Sequence, residues 1–155
     1  MKLMNSFYIL LSFGVCLAAS ADELRVELEI PQIKTAEYHR PYVAVWIEDS
    51  QRQIDQYLAL WLEQEKWHRD LRYWWRRGGK NTQLPIDGIS GATRKPGLYR
   101  FNANIDNAQD YKLVVEAVRE VGGRELIKVP LAEIDGEKVL IGERELGQLT
   151  IKLEK

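Results

Sequence analysis

Tyr42-Val43-Ala44-Val45-Trp46-Ile47 is the stretch that decides the fold. Six consecutive apolar residues, rich in β-branched and aromatic side chains, describe a strand buried on both of its faces. On its C-terminal side Glu48, Asp49 and Ser50, followed by Gln51, Arg52 and Gln53, make a polar turn. Ile54 to Trp61 then returns as a second strand, which predicts a hairpin. On the N-terminal side, Leu24 to Ile30 alternates apolar and charged residues with period two, the pattern of a strand with one face in a core and one in water. Pro31 ends it.

Further out, strands are predicted over Leu98 to Ala103, Lys112 to Arg119, Glu125 to Leu131, Lys138 to Ile141 and Leu149 to Leu153, with Gly122-Gly123 as a turn. Between Trp61 and Leu98 the pattern changes. Trp67, Leu71, Trp74 and Trp75 recur at helical spacing, predicting a helix from Glu65 to Arg77 that Gly78-Gly79 stops. So short a helix needs its tryptophans docked to persist. Gly79 to Gly97 reads as a long polar loop, punctuated by Pro85, Asp87-Gly88, Ser90-Gly91 and Pro96-Gly97. Seven or eight short strands at turn-punctuated spacing predict an all-β chain. Its expected form is an immunoglobulin-like antiparallel β-sandwich with one short helix and a long loop inserted.

The first 21 residues differ from the rest. Lys2 precedes an apolar run from Phe7 to Ala19, and Ala19-Ser20-Ala21 offers a small-x-small cleavage pattern directly before Asp22 and Glu23. Residues 1–21 therefore read as a signal peptide, and 22–155 as a single β-sandwich domain. The apolar run is shorter than the ~20 residues a spanning helix needs, so the mature chain is expected not to be transmembrane. Cys16, the one cysteine, falls inside the segment to be removed. The mature chain is left without a thiol in an oxidising compartment, the periplasm.

The full sequence carries 22 basic and 23 acidic residues, a balance that leaves no footprint of a nucleic-acid binder. The charge is unevenly spread. Lys66, Arg69, Arg72, Arg76, Arg77, Lys80, Arg94 and Lys95 face only Asp70 and Asp87 in the same interval, and all five tryptophans lie between Trp46 and Trp75. Arg69, Arg72, Arg76 and Arg94 are the candidates for an anion-binding or partner surface, because guanidinium forks pair with anions and indoles stack on planar rings. His39 and His68, the two histidines, have no partner at metal-ligand spacing, and Ser90 has no nucleophile-elbow context. No metal or catalytic residue is expected. Glu120 and Glu125 flank the Gly-Gly turn and read as solvent-facing.

The sharpest local signal is Asp87-Gly88-Ile89-Ser90-Gly91-Ala92-Thr93. It resembles the D-x-x-(S/T)-G-A-T acceptor sequence for covalent flavinylation, found in FMN-bearing subunits of sodium-pumping quinone reductases and related electron-transfer proteins. There a flavin transferase joins FMN, through its phosphate, to the hydroxyl of the final threonine. The resemblance implies Thr93 as the attachment point, with Asp87, Ser90, Gly91 and Ala92 as the rest of the acceptor. On this reading Gly91 and Ala92 leave the hydroxyl uncrowded, on a loop exposed enough to enter the transferase. The chain departs from familiar acceptors in continuing with Arg94-Lys95-Pro96.

A wider resemblance rests on Arg40 to Asp49, Leu58-Ala59-Leu60-Trp61, Arg69-Asp70-Leu71 with Trp74-Trp75, Ser90 to Gly97, and Gly123-Arg124-Glu125-Leu126. Together they resemble an uncharacterised family of predicted periplasmic proteins, often encoded beside PepSY-type membrane proteins and flavin transferases. That resemblance implies a periplasmic accessory of flavin-based electron transfer, not itself an enzyme. Its partners would be a flavin transferase and a PepSY-type membrane protein. The alternative is a cofactor-free, immunoglobulin-like binding or assembly module for a membrane partner.

Overall fold

The computed structural model describes residues 21–154. Residues 1–20 of the signal segment, with Cys16, lie outside them. Two sheets stack face to face. One has the order β5-β1-β9-β8, built from β1 (Asp22–Ile30), β5 (Gly97–Ile105), β8 (Glu137–Ile141) and β9 (Gln148–Glu154). The other has the order β4-β3-β2-β6-β7, from β2 (Tyr42–Glu48), β3 (Ile54–Trp61), β4 (Ser90–Gly91), β6 (Lys112–Val118) and β7 (Arg124–Pro130). The chain is an all-β sandwich.

The burial of β2 follows from its position. All seven of its residues are buried. Val43, Val45 and Ile47 enter the core between the sheets, where Leu24, Val26, Leu28 and Ile30 of β1 meet them from the other layer. Tyr42, Ala44 and Trp46 point the opposite way, into a second core beneath the helical insertion. Neighbouring β6 divides likewise, Leu113, Val115 and Ala117 inward and Val114 outward. The period-two alternation of a strand thus serves two cores at once.

Three features depart from the sequence reading. The pairing is not wholly antiparallel, because Leu60 and Trp61 of β3 pair in parallel with Ser90 and Gly91. The stretch Gly79 to Gly97 is not a bare loop, since it contains this bridge and a 3-10 turn at Gly79–Asn81. The helix is also not continuous. A 3-10 segment, Glu65–Asp70, ends at Leu71, and α1 (Arg72–Arg77) starts afresh.

The break at Leu71 has a cause outside the segment. No side chain of the insertion caps α1. Instead Glu116, fully buried on β6, accepts the backbone N–H of Tyr73 at 3.0 Å and of Trp74 at 2.7 Å. Two N–H groups that a continuous helix would bond internally are satisfied by a carboxylate, whose charge also suits a helix N-terminus. Leu71 and Trp74 then dock with no exposed surface, while Trp67 and Trp75 remain part-buried.

Candidate functional site

The acceptor-like segment is held against the edge of β3. Leu60 donates its N–H to the Ile89 carbonyl at 3.2 Å, and Leu62 donates to Gly91 at 2.8 Å. Ser90 closes the turn before it, its hydroxyl accepting from the Ile86 N–H at 2.7 Å and donating to the Ile86 carbonyl at 3.1 Å. Asp87 and Gly88 form the exposed tip, and Gly88 has the positive φ of 72° that favours glycine. Gly91 and Ala92 are exposed as well.

Thr93 is different. It is only 4% exposed, and its hydroxyl donates to the carboxylate of Glu63. The expected uncrowded hydroxyl is therefore corrected: the segment turns inward at its last residue, where Thr93 meets Glu63 just beyond the end of β3. Asp87, Ser90, Gly91 and Ala92 lie on the approach to it, with the Ser90 hydroxyl already engaged within the loop.

Thr93 and Glu63 line a cleft of about 370 Å³ with Tyr38, His39, Arg40 and Glu120 among the other walls. Here Tyr42 donates its hydroxyl to Glu120 at 3.1 Å and accepts the Gln64 N–H at 3.4 Å. Burial pushes the Tyr42 hydroxyl up to about 12, with the nearby Glu120 carboxylate adding to the shift. His39 Nε2 lies 2.7 Å from Glu37, and its Nδ1 lies 3.9 Å from Glu120. The Tyr38 hydroxyl is buried without a partner among the described residues. The cleft thus gathers the Thr93 hydroxyl with two tyrosine hydroxyls, two carboxylates and an arginine.

A family model described as "Predicted periplasmic protein (DUF2271)" matches residues 23–148. The chain belongs to the DUF2271 family. It is a periplasmic protein. A search of curated proteins found no match to this DUF2271 member, and neither did a search of solved structures. No helix among the described residues is long and apolar enough to cross a membrane.

The four arginines expected to form one surface in this DUF2271 member divide. Arg69 and Arg76 are exposed on the helical segments. Arg94 lays its guanidinium over the Trp61 ring at 5.8 Å, and Arg72 lines a separate cleft with Arg124 and Arg144. Nor do Glu120 and Glu125 simply face solvent. Glu120 belongs to the Thr93 cleft, and Glu125 accepts the backbone N–H groups of Glu143, Arg144, Glu145 and Leu146. Glu63, Tyr42 and His39 were missed as neighbours of Thr93. They lie 30 or more residues from it in sequence, and no spacing rule ties them to it.

Proposed function

We propose that this periplasmic protein is an accessory of flavin-based electron transfer that carries FMN covalently on Thr93. The observation that carries the reading is the complete acceptor sequence from Asp87 to Thr93, ending on a hydroxyl bonded to a carboxylate. Forming a phosphoester at Thr93 Oγ1 would break the pyrophosphate bond of a flavin dinucleotide donor brought by the transferase and release the nucleoside monophosphate. The hydroxyl proton must go to a base, and Glu63 already accepts that hydrogen. Arg40, in the same cleft, and Arg94, next in sequence, supply guanidinium groups suited to a phosphate. The bound flavin would supply the redox chemistry, and the protein its attachment and electrostatic surroundings.

For a transferase to reach Thr93, the segment must loosen from β3, releasing the Leu60–Ile89 and Leu62–Gly91 bonds. Asp87, Gly88, Gly91 and Ala92, exposed along the segment, are the residues a transferase can grip first. A flavin transferase is then the first partner, and a PepSY-type membrane protein the second.

The second reading is a cofactor-free binding module, favoured by the internal bonds that the Ser90 and Thr93 hydroxyls make. One experiment separates them. The exported protein is coexpressed with a flavin transferase, denatured, and compared with Thr93→Ala by intact mass and in-gel fluorescence. An FMN adduct on wild type, absent from Thr93→Ala, weakened in Asp87→Ala and partly kept in Thr93→Ser, is expected. No adduct on wild type would leave the segment a structural turn and give preference to the binding module.

A further inference from the structure

Away from Thr93, a cleft of about 360 Å³ gathers three arginines from three elements. Arg72 opens α1, Arg124 opens β7, and Arg144 sits in the turn between β8 and β9. The floor includes Gly122 and Gly123 of the β6–β7 turn. We infer that this cleft binds a phosphate group.

The charge count around it supports an anion. Arg72 and Arg144 make no ion pair among the described residues. Arg124 spends Nε and Nη2 on Glu116, leaving Nη1 uncommitted. Of the carboxylates nearby, Glu116 is occupied by Arg124 and two backbone N–H groups. Glu145 is occupied by Arg119 and the Gly123 N–H. Only Asp70 lines the cleft uncommitted. Arg124 and Glu116 compensate each other, so two unpaired guanidinium groups, Arg72 and Arg144, face one free carboxylate, with Arg124 Nη1 left as a further donor.

The frame is also held before any ligand arrives. Gly123 donates its N–H to Glu145 at 2.6 Å, and Arg144 donates its backbone N–H to Glu125 at 3.0 Å. Arg124 is pinned at 2.7 Å to a carboxylate with no exposed surface. A guanidinium anchored like that of Arg124 gives a tetrahedral oxyanion a donor that loses little further freedom. Beside the cleft, at the tip of the same turn, Val121 is 76% exposed and holds a left-handed φ of 51°. An apolar tip next to clustered arginines suits a phospholipid headgroup as well as a free phosphate.

The test is an amide shift titration of the full mature chain with inorganic phosphate, against chloride at equal ionic strength. It is run alongside sedimentation with phosphatidylglycerol vesicles, against phosphatidylcholine vesicles. Saturable phosphate shifts centred on Gly122, Gly123 and Arg124 are expected, weakened at least roughly tenfold in the Arg72→Gln/Arg144→Gln double variant, since charge-assisted bonds are lost. Both side chains are exposed, so the variant keeps the fold, and the exposed pair Arg69→Gln/Arg76→Gln serves as the charge-matched control. Vesicle binding lost in the double variant would assign the phosphate to a lipid headgroup, and shifts without vesicle binding would assign it to a free anion. Failure of both, or responses the double variant leaves unchanged, would overturn the site.

Discussion

Glu116 and Trp74, 42 residues apart, are joined by a 2.7 Å hydrogen bond from the Trp74 backbone N–H to a carboxylate with no exposed surface. The same carboxylate takes the Tyr73 N–H and the Arg124 guanidinium. A strand residue thereby starts the helix that covers its own sheet, and it orients an arginine of the phosphate cleft.

Glu116→Ala should destabilise the protein by roughly 3–5 kcal/mol, because it strands Arg124 and two helix N–H groups. Urea unfolding measures the loss. A change within ~0.5 kcal/mol, the ordinary range of a surface substitution, would show that the cap contributes nothing.

Gly79 is required for a reason its place after a helix does not reveal. A Cβ there would lie 2.7 to 2.8 Å from the Trp74 indole. Gly79→Ala should cost about 1–3 kcal/mol by overpacking and alter the near-ultraviolet dichroism of the tryptophans. Gly88→Ala meets nothing within 4 Å but carries a φ of +72°. It should cost roughly 1–2 kcal/mol with that dichroism unchanged.

Burial holds the Tyr42 hydroxyl at about 12, whereas an unfolded tyrosine titrates near ~10. The folded pKa is the higher one, so this contribution to stability is complete below the unfolded value. It is lost as pH rises from ~10 through the folded pKa. In Tyr42→Phe the stability curve should fall less steeply over that window. Unfolding midpoints measured at successive pH values check this, and identical slopes would refute it.

Glu125 works at the opposite end of the pH scale. Burial alone would raise its pKa, but four backbone N–H donors outweigh that and hold it below its ordinary value of 4.5. Its stabilisation is present above the unfolded pKa and disappears as pH falls through the folded one. Glu125→Ala should therefore speed hydrogen exchange at Glu143 to Leu146 at neutral pH. It should do so far less in acid, where the wild-type carboxylate is itself protonated.

Much of this could be read along the chain, and the reason is periodicity. Each strand records in its own residues which of its faces is covered, so Leu24 to Ile30 announced a half-buried strand. Tyr42 to Ile47 announced one covered on both sides, and together they implied a layered β fold. The acceptor-like segment ending at Thr93 was equally plain, because a linear motif is written in consecutive residues. What covers β2 was only partly legible. Leu71 and Trp74 pointed to a docked helix, but the break at Leu71 depends on Glu116. No spacing rule links that residue to the insertion. The inward turn of Thr93 onto Glu63, the approach of Gly79 to Trp74 and the meeting of Arg72 with Arg124 and Arg144 were likewise decided by the tertiary structure. Polar partners of this kind are chosen by how two sheets and an insertion pack. A buried donor can take only an acceptor that the packing brings within about 3 Å, whatever its distance along the chain.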